Sequence, residues 1–173
     1  MNWKRPLENE MAGYFTRYAM KVPETNALQV LKDLKYNSLH LMASLSLEDW
    51  DFAYAPGKWT VKEVWLHLMD TERIFAYRSL RIGRGDETPL PGFDQDIYVI
   101  GSDAKKRTVA SIMEEYEAVR NSTISLFENL PEEALDRMGT ASSHPISCRA
   151  FAFIIPGHER HHIIGLKENY KLG

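Results

Sequence analysis

The chain has 173 residues, 44% of them hydrophobic and 26% charged, with a formal net charge of −3 at pH 7. This length suits one domain, 1–173, with a sizeable core, and the composition is that of an ordinary globular protein. The slightly acidic balance leaves no electrostatic footprint for nucleic acid, and no basic amphipathic helix points to a membrane surface.

From about Glu8 to Val22 the sequence predicts a short extra helix with Met11, Phe15 and Tyr18 on one side, ended by Pro23. The first long helix is expected from about Thr25 to Leu45, its stripe formed by Ala27, Leu31, Leu34, Ser38, Leu41 and Leu45. His40 falls on the opposite face and reads as a surface histidine. A connector with a Pro56-Gly57 turn signal follows. Thr60 and Glu63 then form a capping box that opens the second helix, which runs to about Ile82.

The second helix carries Val61, Val64, Trp65, Leu68, Phe75 and Ile82 as its apolar stripe. His67 lies at one edge of it, with Thr71, Ile74 and Arg78 on the same side. Glu72 falls inside the apolar arc, where a carboxylate needs a cation or donor as partner. From Gly83 to Lys105 runs a long connector, a length that suits a crossover or a functional loop; its Phe93 and Tyr98 suggest that it packs on the body.

The third helix is expected from about Arg107 to Asn129, ended by Pro131. The segment to Ile146 reads as loop, with His144 in a surface turn, and no strand pattern stands out anywhere. The last helix, from about Ser147 to Tyr170, puts Phe151, Ile154, Ile155, His158, His162 and Leu166 in one arc. Pro156 lies inside it and should kink the helix or free a carbonyl one turn earlier. His161 sits at the edge of the arc, and Glu159 and Arg160 point further outward. The reading is an all-α chain of four main helices, which suggests a bundle.

Cys148 is the single cysteine and cannot form an internal disulfide, which fits a reducing compartment. No base stands beside it in sequence, so it is not read as a nucleophile. The N-terminal residues have no apolar core of a signal peptide, and no apolar run is long enough to span a bilayer. The expected location is cytoplasmic.

The chemistry rests on histidines. His158 and His162, four apart, share one helix face about a turn apart, and that face is otherwise apolar. Imidazoles pointing into a core need a reason, and a divalent metal is a good one. His67 on another stripe's edge supplies a third ligand, the number that a catalytic site uses when it keeps a position open. The bland alternative is a set of histidines hydrogen-bonded in a core or groove.

His158-Glu159-Arg160-His161-His162 also matches the zincin pattern H-E-x-x-H. Glu168 stands where the longer signature needs a third histidine, and no strand upstream is set to hold a peptide, so peptidase activity is not expected. Ligating histidines usually donate their other N–H to a neighbour. Asp70, Glu72, Glu159 and His161 are the candidate outer partners, against surface charge for Asp70 and an arginine ion pair for Glu72. Arg78 and Arg81 can bind an anionic substrate or form ordinary salt bridges.

Taken together, Tyr54-Ala55-Pro56-Gly57-Lys58-Trp59-Thr60-Val61-Lys62-Glu63-Val64 leading to His67, then Asp70-Thr71-Glu72-Arg73, Leu90-Pro91-Gly92-Phe93-Asp94 and Gly157-His158-Glu159-Arg160-His161-His162, resemble the DinB-like superfamily. That superfamily includes YfiT-like metal-dependent hydrolases and thiol-dependent transferases. The resemblance covers nearly the whole chain, from about Tyr14 to Tyr170. It implies a four-helix bundle of up-down-down-up topology and a divalent metal held by His67, His158 and His162. Zinc or nickel leads among the metals, with manganese or iron as alternatives. It also implies a small-molecule substrate, with a low-molecular-weight thiol as cosubstrate in some relatives, and a homodimer. The expected function is therefore hydrolysis or small-molecule transfer, with a divalent ion activating water or a thiol. The rival from another class is a non-enzymatic, stress-related bundle with a structural metal or a histidine cluster.

Overall fold

The computed structural model describes residues 3–172. In chain order the helices are α1 (Gly13–Ala19), α2 (Ala27–Ser44), α3 (Leu47–Asp51), α4 (Val61–Gly83), α5 (Gln95–Gly101), α6 (Val109–Glu128), α7 (Glu132–Leu135) and α8 (Cys148–Glu168). The four long ones, α2, α4, α6 and α8, match the four main helices expected from the sequence. Each begins at a side-chain cap that satisfies an otherwise orphaned backbone N–H: Asn26, Thr60, Thr108 and Ser147. At Thr60 the box is complete, with Glu63 bonded back to the cap's own N–H at 2.7 Å. Such caps contribute about 1 kcal/mol each.

The hydrophobic contacts fix the direction of each helix. Ala104, just before α6, is buried with Val61, Val64 and Trp65 at the start of α4. The long connector therefore returns along α4 before α6 begins, and α6 runs parallel to α4. Cys148, which opens α8, lies against Ser79 near the end of α4, while Leu166 near the other end of α8 packs with the start of α4. So α8 is antiparallel to α4. Likewise α2 places Ala27 and Leu31 in one half of the core and Met42 in the half that holds Val61. These relations make the up-down-down-up bundle, which a parallel α4–α6 pair allows only through a long crossover.

The core is two apolar halves. One gathers Phe75, Ile82, Phe151 and Phe153 with the N-terminal segment, and the other gathers Trp50, Trp65, Tyr116 and Leu166. Between them lies a buried polar layer of Ser38, His67, Thr71, Glu72, Arg120, His158 and Glu159. Helix α8 runs through Pro156 without a break. Next to it, Gly157 lets the backbone of α1 approach: a Cβ there would overlap the Tyr18 carbonyl.

The segment before α8 differs from its reading as loop. It holds α7 and an antiparallel hairpin, β1 (Met138–Ala141) and β2 (His144–Ser147). Each strand has only four residues and includes Gly139 or Pro145, which are turn signals in sequence. Ser142 and Ser143 both take positive φ, the conformation that a two-residue hairpin turn requires. Leu90 of the crossover pairs with this hairpin through Thr140 O and Ser142 N, which anchors the connector. The connectors also hold α3 and α5, helices too short for an apolar period to show in sequence. Among the described residues, no helix is long and apolar enough to cross a membrane.

Candidate metal centre

His67 comes from α4, and His158 and His162 come from successive turns of α8. The antiparallel contact of these helices closes the set. The His158 Nε2 lies 3.2 Å from the His67 Nε2 and 3.1 Å from the His162 Nε2. The three ligand atoms all fall within 4.8 Å of one another, and among the described residues no carboxylate, thiol or further histidine joins them. Two nitrogens held about 2.0–2.1 Å from one tetrahedral zinc stand about 3.3 Å apart, so this donor set fits a single small divalent ion.

Protonation favours the same use. Burial pushes the His67 imidazole down to about 4. Burial, aided by the His67 and His161 rings, takes His162 down to about 3. His158 is held well below its ordinary value by burial and by its histidine neighbours. At neutral pH all three rings are therefore uncharged, the state in which imidazole ligates a metal. The Thr71 Oγ1 lies 3.5 Å from the His67 Nδ1, at the outer edge of hydrogen bonding. As an acceptor there it selects the tautomer with the lone pair on Nε2. Aromatic rings hold the imidazoles in place: Trp59 beside His67 at 4.8 Å between centroids, and Tyr18 edge-on to His158 at 5.1 Å.

The candidate outer partners divide. His161 is half-buried, packs edge-on to His162 at 5.2 Å and to Tyr18 at 5.4 Å, and is held below its ordinary pKa by burial. Asp70 is paired with Arg73 at 3.5 Å rather than with a ligand. Glu72 is buried on Arg120, which reaches it through both Nε (2.9 Å) and Nη2 (2.8 Å).

Glu159 does not point outward as its helical angle suggests. It is 2% exposed and accepts from Arg120, Ser38 and the Tyr116 hydroxyl. The reason is that α8 packs against α1, α2 and α4, and the side chains of Tyr116 and Arg120 reach it from α6, so its core arc is wider than one apolar stripe. With three protein donors on its carboxylate, Glu159 is not placed to act as the base that the zincin pattern would need. In sequence Tyr116 reads only as part of the third helix's apolar stripe, and Arg120 carries no signal of its own. The one available signal was Glu72 in an apolar arc, which calls for a buried cation.

The histidine cluster is reached from two sides. A cavity of about 260 Å³ borders His67 and His158, and a wider cleft of about 600 Å³ borders His161 and His162. His40 and His144 are exposed, as the sequence reading has them.

Three comparisons bear on this architecture. A family model described as the DinB superfamily matches residues 31–164. A protein of Oceanobacillus iheyensis named "Putative metal-dependent hydrolase OB0413" is 29% identical over 126 residues, covering 72% of each chain. The structure of YfiT from Bacillus subtilis, described as "a probable metal-dependent hydrolase with an unusual four-helix bundle topology", superposes with a TM-score of 0.74 at 18% identity, over 99% of this chain and 95% of that one. With its bundle topology and a family match that spans His67, His158 and His162, the chain belongs to the DinB superfamily.

Proposed function

We propose that the protein is a metal-dependent hydrolase of a small molecule, with one divalent ion, zinc or nickel first, held by His67, His158 and His162. The observation that carries this reading is the convergence of three neutral imidazoles, with no fourth ligand among the described residues. A structural zinc site is normally closed by four protein ligands, so three favour catalysis over a purely structural metal. When bound, such an ion supplies Lewis-acid activation and a lowered pKa for the water, or the thiol, that serves as nucleophile.

The chain's own residues do the remainder. The buried histidines stay unprotonated without help from a base. Thr71, Trp59 and Tyr18 fix ring orientation, so little reorganisation is needed at the ligands. The Arg17 side chain donates to the Tyr18 hydroxyl at 2.7 Å and steadies that wall. Tyr18 and Phe75 line the cavity beside His158 and limit water on that side.

Elemental analysis of the purified chain, with each histidine changed to alanine in turn, tests the ligand set. Near-stoichiometric divalent metal is expected in the wild type, lost in His67→Ala, His158→Ala and His162→Ala. A wild-type chain that stays metal-free after refolding with zinc, nickel and manganese overturns the reading. Turnover of an electrophilic substrate without added thiol supports hydrolysis, whereas turnover only with thiol moves the assignment to transfer.

A further inference from the structure

Two arginines, Arg78 and Arg120, are buried, and they are treated differently. Arg120 has two carboxylates. Arg78 is 2% exposed, yet among the described residues it forms no ion pair. Its Nη2 donates to the Pro91 carbonyl at 2.6 Å and to the Ser142 Oγ at 3.2 Å. The Nε–H and Nη1–H groups have no protein acceptor among the described residues, but they are not sealed off either. A guanidinium keeps its charge at any ordinary pH, and a buried charge without a counterion is costly. Arg81, its neighbour one turn on, is by contrast paired with Asp86.

The place where Arg78 sits supplies the rest. It borders the cavity of about 260 Å³ that also reaches His67 and His158. That cavity is lined by a second arginine, Arg17, and by no aspartate or glutamate. The Arg78 guanidinium lies 5.9 Å from the centroids of both Phe75 and Phe93, which form apolar walls. Tyr14, a phenol that is protonated at neutral pH, lines the same cavity and offers a further donor beside Ser142. The crossover and the hairpin, through Pro91 and Ser142, hold the guanidinium in place.

We infer that this cavity is an anion subsite, in which Arg78 binds the oxyanion of a small organic substrate whose apolar body lies along Phe75 and Phe93. The substrate class is a small carboxylate or phosphate ester with an apolar or aromatic portion, its far end directed at the histidine cluster. The inference takes from the metal reading only the idea that a substrate binds here. Anion binding itself depends on Arg78 and not on a metal.

Calorimetric titration of benzoate, phenyl phosphate and neutral benzamide into the full chain, both chelated and zinc-reloaded, tests it. Benzoate or phenyl phosphate should bind the chelated chain at least about tenfold more tightly than benzamide, and the stronger of the two names the oxyanion. Arg78→Gln should remove that preference. Because Arg78 also tethers two loops, Ser142→Asp is the second variant: it sets a carboxylate against the guanidinium and should abolish anion preference with Arg78 in place. Equal binding of benzoate, phenyl phosphate and benzamide by the wild type, or unchanged anion binding in a folded Ser142→Asp chain, overturns the inference. Metal content measured on the same samples separates the two readings. Stoichiometric metal without anion preference sinks the subsite alone, and anion preference without metal sinks the metal centre alone.

Discussion

Arg120 with its two carboxylates lies beside the three histidines in the polar layer of the bundle, and a small void of about 10 Å³ is bordered by Arg120, Glu72 and Glu159 on one side and by His158 on the other. Yet they satisfy burial in opposite ways. The polar groups of the Arg120 cluster find their hydrogen-bond partners within the protein: Glu72 and Glu159 bind its guanidinium, and Ser38 and Tyr116 donate to Glu159. Burial alone would lower the Arg120 pKa, but the two glutamates outweigh it and raise it well above its ordinary value. The histidines instead turn their Nε2 atoms toward one another at 3.1 and 3.2 Å, with no carboxylate among them. One cluster is a closed hydrogen-bonded network; the other presents a three-nitrogen donor set that a divalent ion fits. The closed one carries two formal negative charges against one positive, and this favours a cation next to it.

The sharpest way to break this comparison is Arg120→Ala, which leaves two buried carboxylates facing each other. We expect a loss of about 3–5 kcal/mol of stability, read by urea denaturation. A loss under about 1 kcal/mol would mean that the network is not the structural element described. Next in size is the response of the chelated chain to acid. The folded His67 and His162 are depressed to about 4 and about 3, against 6.5 for the ordinary imidazole. Below about 6.5 the unfolded chain takes up protons that the folded chain does not. Stability is therefore fully present above that value and is lost as pH falls toward 4 and then 3, by up to about 1.4 kcal/mol per pH unit for each histidine. Thermal melts of chelated wild type and His67→Asn should differ in slope over that window, and equal slopes would remove His67 from the account. The smallest effect is expected from Thr71→Val, which keeps the shape but removes the contact to the His67 Nδ1. Metal affinity should fall by about tenfold, at the weak end for an outer hydrogen bond because of the 3.5 Å separation, with unfolding nearly unchanged.

Much of the bundle was legible because a helix's core face is written at a fixed period. The cap at Thr60 and breakers such as Pro131 placed ends of the long helices to within a few residues. The hairpin was not legible. Its strands are too short for alternation to show, and they are stabilised by pairing with each other and with Leu90 rather than by propensity. Asp70 and Glu159 show the same limit at the site. Helical angle alone set Glu159 outward, but enclosure of α8 on several sides buries it, and Asp70 found Arg73 first.

The sequence by itself determined the histidine pair of α8, since four residues make one helical turn, and it marked His67 and Glu72 as polar groups on apolar arcs that needed partners. Only the tertiary structure decided who those partners are. The parallel run of α6 beside α4 brings Arg120 to Glu72, and the antiparallel approach of α8 brings His158 and His162 to His67. The crossover and hairpin close over Arg78 without giving it a carboxylate. Local period fixes which face a residue occupies. Which faces meet depends on helix order and direction, and those are set by long-range packing of the two apolar halves.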